Sequence, residues 1–260
     1  MDPDLIRWSE SINRTDSAQS YTQEGFTTPL KFAPGQGWIY GSSLDWAGFV
    51  LEKITEQSLA DYMKEHIFTP LGMDSTAFNV STIPNGRCRL VDWATASADD
   101  PNLLVKGSSW IPDEYTFYSG GSGLHSTTSD YSKFLTAMLR GELLDAETQK
   151  LVFSPSLTNT EREALQQAFA GDMWDFFVPE IYPKNAPVDH GLSGIINLED
   201  SPGRRRKGSM MWSGASNGRW WVDPETGIAA VMTTQVEPFN YPVAIRLFRE
   251  LEEAVYRELL

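Results

Sequence analysis

The stretch FAPGQGWIYGSSLDWAG, residues 32–48, decides the fold that this sequence predicts. Pro34-Gly35 is a turn signal, and the aromatic run behind it ends in Tyr40, two residues before the hydroxyl of Ser42. Ser43 is a residue type that caps helices. Apolar residues then recur at helical spacing, at Leu44, Ala47, Val50, Leu51 and Ile54. The stretch predicts a turn, an isolated tyrosine and a helix with one apolar face.

The middle of the chain places further polar caps before apolar helical patterns. Ser58-Leu59-Ala60-Asp61 resembles a capping box and starts a second helix, which ends near Pro70-Leu71-Gly72-Met73. Thr127 caps a third helix, which Gly141 closes. The core face of this third helix is predicted to comprise Tyr131, Phe134, Leu135, Met138 and Leu139. Two short helices fit 145–153 and 160–170, and 79–118 reads as irregular connections.

A glycine-rich loop, Ser119-Gly120-Gly121-Ser122-Gly123, precedes the third helix. Such loops can hold a phosphate at a helix N-terminus. This loop has no lysine at the spacing of a P-loop, which argues against phosphate binding. We interpret it as a place where two backbone segments approach closely.

Strand patterns dominate the C-terminal third of the chain. The predicted strands are 190–198, 209–213, 218–222 and 228–234, with a hairpin turn at 223–227. A closing helix over 239–259 places four apolar residues on one face, namely Val243, Leu247, Leu251 and Val255. The sequence predicts an α+β fold, in which an antiparallel sheet with a covering C-terminal helix adjoins a mostly helical region. We expect a single domain over 1–260, mostly helical over about 32–185, with the sheet and its helix over about 186–260.

Composition and charge exclude several function classes. A formal net charge of −14 and a pI of about 4.6 oppose binding to nucleic acid or to anionic membrane surfaces. No apolar run reaches the roughly 18 residues of a membrane-spanning helix. Cys88 is the only cysteine, and the acidic start lacks the features of a signal peptide, so we expect a cytoplasmic protein. Because no metal-ligand spacing such as H-E-x-x-H occurs, we expect neither a metal nor a cofactor.

Three separated motifs together resemble one enzyme superfamily. They are Tyr40-Gly41-Ser42 at a helix start, the 119–123 loop, and Trp212-Ser213-Gly214-Ala215 at a strand end. In this order and spacing they are similar to the serine β-lactamase and penicillin-binding-protein superfamily, above all to its class C-like esterases and fungal transesterases of the lovastatin acyltransferase type. Pro70-Leu71-Gly72-Met73 and Trp221-Val222-Asp223-Pro224 carry the same likeness. It runs from about residue 1 to the C-terminus.

The resemblance implies a role for each motif. In this superfamily the nucleophile is the serine of a Ser-x-x-Lys motif, and a lysine and a tyrosine share the removal of its proton. By resemblance Tyr40 is the base, and Ser42 helps to hold the substrate. The segment Trp212-Ser213-Gly214 stands where the superfamily has Lys-Thr-Gly and contacts the substrate, without that motif's lysine. Ala215 then offers a backbone N–H to the oxyanion.

Two histidines lie near these motifs in the sequence. His190 precedes a strand, at a position that approaches the superfamily's substrate cleft, and His125 follows the glycine-rich loop. Each can be interpreted as a structural residue or as a replacement base. We count His190 among the expected substrate-binding residues.

The sequence contains no Ser-x-x-Lys motif. Thr28-Pro29-Leu30-Lys31 has the spacing, but its proline excludes the helix that would present both side chains together. By resemblance, residues 1–10 correspond to the part that follows the nucleophile helix, so we expect the nucleophile, its lysine and two N-terminal sheet strands to be missing. Such a loss would uncover a sheet edge and a helix face. We therefore expect a homodimer or a complementing chain there.

The main hypothesis is a β-lactamase-like serine hydrolase or acyltransferase. Its substrate is expected to be a small ester, a thioester or a carrier-bound acyl group, in secondary metabolism. Without a nucleophile in the chain, the sequence leaves open whether the protein is an enzyme. One alternative is a truncated, non-hydrolytic homologue that binds a ligand or a partner. The other is nucleophile-free proton transfer, as in an isomerase or dehydratase, with Tyr40 or a histidine as the base.

Overall fold

A computed structural model gives the fold. It describes residues 3–17, 20–109, 112, 115, 117–170, 172–181 and 183–259. The α-helices in these ranges are α1 (Pro3–Ser11), α2 (Gln23–Phe26), α3 (Ser43–Thr55), α4 (Leu59–Met63), α5 (Gly86–Arg89), α6 (Thr128–Arg140), α7 (Ala146–Val152), α8 (Asn159–Ala168), α9 (Asp172–Phe177) and α10 (Pro242–Leu259). A π-helical turn continues α4 over Lys64–Phe68, and a 3₁₀ turn covers Val80–Thr82.

The strands form two sheets. They are β1 (Ala94–Ala96), β2 (Leu104–Lys106), β3 (Val188–His190), β4 (Ile195–Asn197), β5 (Met210–Ser213), β6 (Arg219–Asp223), β7 (Ile228–Met232) and β8 (Val236–Glu237). The main sheet is antiparallel, with the strand order β3-β4-β5-β6-β7. A small sheet of order β2-β1-β8 draws two of its strands from the region predicted to be irregular.

The largest core cluster lies between the main sheet and helices α8, α9 and α10. Phe248 and Tyr256 of α10 pack on Trp221 of β6, with ring centroids 5.1 and 6.5 Å apart. Leu165 of α8 and Trp174 of α9 join the same cluster. The predicted α+β class, with an antiparallel sheet under a C-terminal helix, is confirmed.

The predicted single strand over 190–198 is wrong, because the segment is a tight hairpin of β3 and β4. His190 lies opposite Ile195, and Gly191 and Gly194 belong to the turn between them. A Cβ at Gly191 would lie 2.8 Å from the carbonyl oxygen of Val152, and one at Gly194 would lie 2.6 Å from that of Met211. Glycine is required at both positions because neighbouring backbone passes too close for a side chain.

The predicted hairpin turn and the predicted helix caps at Ser58 and Thr127 are confirmed. In the β6–β7 turn, Asp223 accepts hydrogen bonds from the backbone N–H and the hydroxyl of Thr226, at 3.1 and 2.8 Å. Gly227 has a φ of 75°, which favours glycine. Ser58 and Thr127 each accept a backbone hydrogen bond at 3.1 Å, as N-caps of α4 and α6.

Helix α10 buries a different face from the predicted one. The row Val243, Leu247, Leu251 and Val255 is 36–48% exposed. The neighbouring row faces the core and comprises Ala244, Phe248, Glu252 and Tyr256. Both rows repeat every four residues and both are largely apolar, so helical spacing could not distinguish them. Glu252 can occupy the buried row only because it pairs with Arg205.

Helix α3 also leaves its predicted apolar face exposed. Leu44, Val50 and Ile54 lie at the surface, and the buried residues are Asp45 and Gly48. The 119–123 loop packs directly on the side of the helix that contains Asp45 and Gly48, so this side is buried and the apolar side is not. A Cβ at Gly120 would overlap the carbonyl oxygen of Leu44, so the close backbone approach predicted for the loop is confirmed.

Two fully buried ion pairs cross the region between the main sheet and α10. Arg205 Nε lies 2.7 Å from Glu252, and Arg219 Nη1 of β6 lies 2.7 Å from Glu180. Nothing in the local sequence reveals them, since a basic run in a Gly/Pro loop, here Arg204-Arg205-Arg206-Lys207, is typical of a solvated turn. Two buried charges are tolerated only as a pair, because a lone buried charge loses its hydration without compensation.

We expect Glu252→Gln to destabilise the fold strongly, because it leaves the Arg205 guanidinium buried without a counter-charge. The loss should be about 3–5 kcal/mol in the free energy of unfolding, measured by urea denaturation. Glu258→Gln is the matched control, since Glu258 lies at the surface of the same helix. Its effect should stay within about 0.5 kcal/mol. Equal effects of the two substitutions would contradict this account of the pair.

Candidate active site

Tyr40 lies in the extended segment before α3 and is 59% exposed. Its ring stacks on Trp212 of β5 with centroids 5.9 Å apart, and contacts Phe177 at 6.1 Å. The Tyr40-Gly41-Ser42 motif therefore meets the motif that starts at Trp212, although Tyr40 and Trp212 are 172 residues apart in the sequence. Phe177 comes from the end of α9 and completes an aromatic wall that is open to solvent on one side.

The electrostatic surroundings of Tyr40 hold its phenol in the protonated state. Packing against neighbouring rings removes water from the phenol, and the carboxylate of Asp45 adds a negative charge. Both raise the pKa of Tyr40 above its ordinary value of 10.0. A tyrosine that acts as a base needs the opposite shift, which a nearby cation would provide. These surroundings therefore do not activate Tyr40, the residue that the resemblance predicts as the base.

Ser42 is held by the N-terminal part of the chain. It occupies the N-cap position of α3 without a side-chain capping bond. Its hydroxyl donates to the carbonyl oxygen of Phe26 at 3.5 Å, and the Trp46 indole donates to the same oxygen at 3.3 Å. This long contact leaves the hydroxyl easy to reorient. The predicted N-cap at Ser43 is wrong, because Ser43 is the first residue of the helix and Ser42 occupies the N-cap position.

The segment from Trp212 to Ala215 carries β5 into a turn next to Tyr40. Ser213 pairs with Arg219 of β6, and the Gly214 N–H donates to the carbonyl oxygen of Gly218 at 2.9 Å. Gly214 and Ala215 are exposed. The Ala215 N–H makes no hydrogen bond to the described residues. An exposed, unbonded N–H at a strand end has the form that an oxyanion donor requires.

The side chain of Asn217 anchors the turn that contains Ala215. It is fully buried, has a φ of 63°, and its Nδ2 donates to the carbonyl oxygens of Val236 and Pro238 at 2.8 and 2.9 Å. Its Oδ1 accepts from the Tyr241 N–H at 3.0 Å. Through these bonds the turn that contains Ala215 is tied to the chain before α10. Sequence reasoning missed Asn217, although the pair Asn-Gly is a turn signal.

His190 of β3 contacts the same wall. Its ring lies 5.7 Å from Trp212 and 6.2 Å from Trp38, centroid to centroid. Nδ1 lies 2.5 Å from the carbonyl oxygen of Gly191. Because a carbonyl can only accept, Nδ1 carries the proton and Nε2 is the acceptor nitrogen. Burial lowers the pKa of His190 below its ordinary value, against the smaller effects of the Gly191 bond and of Asp189.

Asp189, next to His190, anchors this strand end. It is fully buried and accepts hydrogen bonds from the backbone N–H groups of Ser156, Leu157 and His190, at 3.2, 3.2 and 2.8 Å. The Arg162 guanidinium of α8 also binds it. Nothing in the local sequence singles out Asp189, because three of these four groups come from positions at least 27 residues away. The anchor fixes the backbone of β3 at His190, whose N–H is one of the four donors.

Asp45 connects Tyr40 to the glycine-rich loop. This buried carboxylate accepts hydrogen bonds from the Ser119 hydroxyl and, at 3.3 Å, from the Gly121 N–H. The loop is therefore fixed to the first turn of α3, and the position of Tyr40 before that turn is fixed with it. His125, in contrast, donates from Nδ1 to the carbonyl oxygen of Phe78, 2.9 Å away, and is bound within another cluster. Because a carbonyl only accepts, this Nδ1 is also protonated.

Comparison with known proteins identifies the family. The model of the family described as "Beta-lactamase" matches residues 3–254. The chain belongs to the beta-lactamase family. Among curated members, the monacolin J acid methylbutanoyltransferase of Aspergillus terreus is 33% identical over 98% of this chain and 62% of its own length. The lovastatin esterase of Penicillium rubens is 30% identical over 99% of this chain and 66% of its own length.

Solved structures of the beta-lactamase family show the same fold. Unliganded simvastatin synthase from Aspergillus terreus, 30% identical, superposes with a TM-score of 0.88 over 99% of this chain and 65% of that chain. EstCE1, a hydrolase with promiscuous acyltransferase activity, has a TM-score of 0.62 at 17% identity, a likeness of fold alone. The chain thus spans about two thirds or less of the length of these relatives.

In the described ranges no helix is both long and apolar enough to cross a membrane. Nor do these ranges contain three or more His, Cys, Asp or Glu residues grouped as metal ligands.

We expect His190 to titrate below pH 6.5, with the proton of the neutral ring on Nδ1. Nitrogen-15 NMR of labelled protein measures both the midpoint and the tautomer. Because folding lowers this pKa, the unfolded chain binds more protons, and stability should fall as the pH drops through the unfolded value near 6.5. His190→Gln should remove this part of the pH dependence. A midpoint above 6.5 would contradict the lowering of the His190 pKa by burial, and a proton on Nε2 would contradict the hydrogen-bond assignment.

Two substitutions of Asn217 should distinguish the contribution of its side-chain hydrogen bonds to stability from the contribution of its backbone conformation. Asn217→Ala loses the side-chain bonds and keeps a Cβ at positive φ, so it should cost about 2–4 kcal/mol in the free energy of unfolding. Asn217→Gly loses the same bonds without the conformational strain, and should cost about 1 kcal/mol less. Urea denaturation measures both. Equal losses would show that the positive φ carries no strain here.

Proposed function

We propose that this chain forms the substrate-binding wall of an acyltransferase or esterase. The observation that carries the proposal is the stack of Tyr40 on Trp212, directly before the exposed N–H of Ala215. The substrate is a small ester, a thioester or a carrier-bound acyl group, used in secondary metabolism. The names of the Aspergillus terreus and Penicillium rubens relatives, a methylbutanoyltransferase and an esterase, support this choice.

In the proposed reaction the acyl chain lies against the aromatic wall. Trp212 and Phe177 provide apolar surface, which favours an uncharged acyl group. The Ala215 N–H is positioned for the carbonyl oxygen that becomes negative as the nucleophile attacks. Tyr40 stands next to that position and exchanges a proton with the attacking or leaving oxygen. Ser213 and Gly214 line the strand end along which the substrate lies.

Covalent catalysis needs two further groups. The nucleophilic serine loses its proton as its oxygen bonds to the acyl carbon, and the leaving alcohol or thiol takes up a proton. These 260 residues contain no Ser-x-x-Lys motif, and the pKa of Tyr40 is raised by its surroundings. We therefore propose that the serine and a cation that activates Tyr40 come from polypeptide outside this sequence, and that the wall alone binds substrate without acyl transfer.

His190 favours a second candidate, nucleophile-free proton transfer. Its Nε2 is an acceptor, and its ring contacts Trp212 in the same wall. A base there could remove a proton from the carbon next to an acyl carbonyl, as an isomerase or dehydratase requires. This reaction needs no serine and no lysine.

The expected protein partner and the expected cellular location are also proposals. A second copy of the chain, or a complementing chain, is proposed to cover the open edge of the main sheet at β7. A cytoplasmic location stays a prediction from the sequence.

The decisive experiment measures binding of the butanoyl thioester of N-acetylcysteamine by quenching of tryptophan fluorescence. Loss of the aromatic contact in Tyr40→Ala should raise the dissociation constant roughly 3- to 10-fold, since an aromatic pair contributes about 0.5–1.5 kcal/mol. Tyr62→Ala is the matched control, because the Tyr62 ring contacts His66 in the α4 segment, with centroids 4.2 Å apart. Equal binding by the wild-type chain and Tyr40→Ala would contradict the proposal.

Mass spectrometry of the same mixtures separates the two candidates. We expect no stoichiometric acyl adduct on the chain alone, and an adduct that disappears in Tyr40→Phe would show that the nucleophile lies within these residues. In deuterated water, deuterium at the carbon next to the thioester carbonyl would indicate proton transfer instead. That signal should disappear in His190→Gln.

A further inference from the structure

Residues 32–41 form the Tyr40 segment, whose backbone makes few contacts. In the described part of the chain this backbone makes one hydrogen bond, from the Gln36 N–H to the carbonyl oxygen of Ala33 at 3.0 Å, inside the segment itself. No described backbone hydrogen bond therefore joins the Tyr40 segment to a helix or a strand. The only side chain of the segment that is not exposed belongs to Trp38.

Trp38 attaches the Tyr40 segment to the molecule through its ring. This ring lies edge-on to Phe169 and Phe177, with centroids 5.4 and 6.1 Å apart and an angle of 84° between the planes in both pairs. Such edge-to-face contacts are a favoured arrangement of aromatic rings. The ring of His190 lies 6.2 Å away. Trp38 thus packs among three rings that come from the ends of α8, α9 and β3.

These three rings form a socket whose position is set by the core. Phe169 is fully buried in the largest core cluster, and Trp38 packs against the same cluster. Phe177 stacks on Phe169 with centroids 5.0 Å apart. The backbone of His190 is anchored by the buried carboxylate of Asp189. The socket therefore fixes where the Trp38 ring lies, although the rest of the Tyr40 segment is exposed.

Trp38 and Tyr40 lie on the same side of the extended chain. Side chains two residues apart in extended backbone project to one side. Both rings accordingly lie 6.1 Å from the ring of Phe177, and Ile39 between them is exposed. Two residues of extended chain span about 6.6 Å. Once Trp38 is in its socket, this short span restricts the Tyr40 ring to the region next to Phe177 and Trp212.

We propose that Trp38 is a positioning residue for the candidate active site, and that its packing in the socket holds the Tyr40 ring against Trp212 and Phe177. A single tryptophan can serve as the attachment because its large ring buries much apolar surface. The meaning of this role for acyl transfer rests on the proposed function, in which Tyr40 exchanges a proton with the substrate. Trp38 acts on the substrate only through Tyr40.

A role in the core alone leads to a different expectation. If Trp38 only filled space beside Phe169, its loss would destabilise the fold but leave the Tyr40 ring in place in every folded molecule. If Trp38 positions Tyr40, its loss releases the Tyr40 ring while the main sheet and α10 stay folded. The position of the Tyr40 ring, rather than stability, therefore distinguishes the two roles.

The test is NMR of the full chain labelled with carbon-13 in its tyrosine rings, with the Tyr40 signal assigned from Tyr40→Phe. The neighbouring rings should shift this signal away from its value in the urea-unfolded chain. Trp38→Ala should lose most of that difference, and Trp38→Phe should keep most of it, because a phenyl ring can still meet Phe169 edge-on. Ile39→Ala is the matched control, since it changes the exposed neighbour of both residues, and should leave the Tyr40 signal unchanged.

The titration of Tyr40 gives a second signature of its release. Burial is the larger of the two causes that raise the pKa of Tyr40, and the charge of Asp45 is the smaller. A ring that returns to water loses the effect of burial. The midpoint of Tyr40 in Trp38→Ala should therefore fall towards 10.0, while Trp38→Phe and Ile39→Ala should keep it above that value.

Heating the wild-type chain tests the same link if Trp38→Ala does not fold. The indole signal of Trp38, assigned from Trp38→Phe, reports when its ring leaves the socket. The Tyr40 signal should reach its unfolded value at or below the temperature at which the indole signal does. Three results would overturn the proposal. They are a folded Trp38→Ala with an unchanged Tyr40 signal, an equal loss in Ile39→Ala, and a Tyr40 ring that stays in place after the Trp38 ring has left.

Binding of the butanoyl thioester separates this inference from the proposed function. Trp38→Ala should raise the dissociation constant roughly 3- to 10-fold, as Tyr40→Ala does. The double variant should bind no more weakly than Tyr40→Ala, because Trp38 acts through Tyr40. Additive losses would show that Trp38 contacts the thioester itself and would overturn its positioning role. If the wild-type chain does not bind the thioester, the proposed function fails, whereas the NMR signals still decide what Trp38 does.

Discussion

The buried pair of Arg219 and Glu180 is the interaction on which the rest of the structure depends. Arg219 lies in β6 beside the turn that carries Ala215, and it also donates to Asn240 at 2.8 Å, just before α10. Glu180 follows α9, whose last residue, Phe177, belongs to the aromatic wall. One desolvated charge pair thus holds the sheet, the wall and the approach to the C-terminal helix in a single arrangement.

Much of the fold and part of the site could be predicted from the sequence, because they depend on local signals. Caps at Ser58 and Thr127, the turn at Asp223–Gly227 and the close approach at Gly120 are set by residues a few positions apart. The order of the motifs and the family resemblance assign Tyr40 and Trp212 to one site, and the structure adds that their rings are in contact. The roles of these residues remain proposals.

The wrong predictions for the buried faces of α10 and α3, and the failure to find the anchors of the site, have a common physical origin. On α10 two neighbouring rows of apolar residues compete, and the position of Arg205 decides which one is buried. On α3 the glycine-rich loop covers Asp45 and Gly48 and leaves the apolar row outside. The anchors of the site, Asp189 and Asn217, bind groups from distant parts of the chain. Periodicity contains no information on such partners, since they are brought together only by the tertiary fold.

The stack of Tyr40 on Trp212 also has a kinetic consequence. It closes a loop of 172 residues, and for a flexible chain the length-dependent entropic cost of such a closure is about 4–5 kcal/mol. One aromatic contact cannot supply that free energy. Tyr40 and Trp212 can therefore meet only after the main sheet and α3 have each formed. We expect the aromatic wall to assemble late in folding and to open early when the protein is heated, before the sheet itself unfolds.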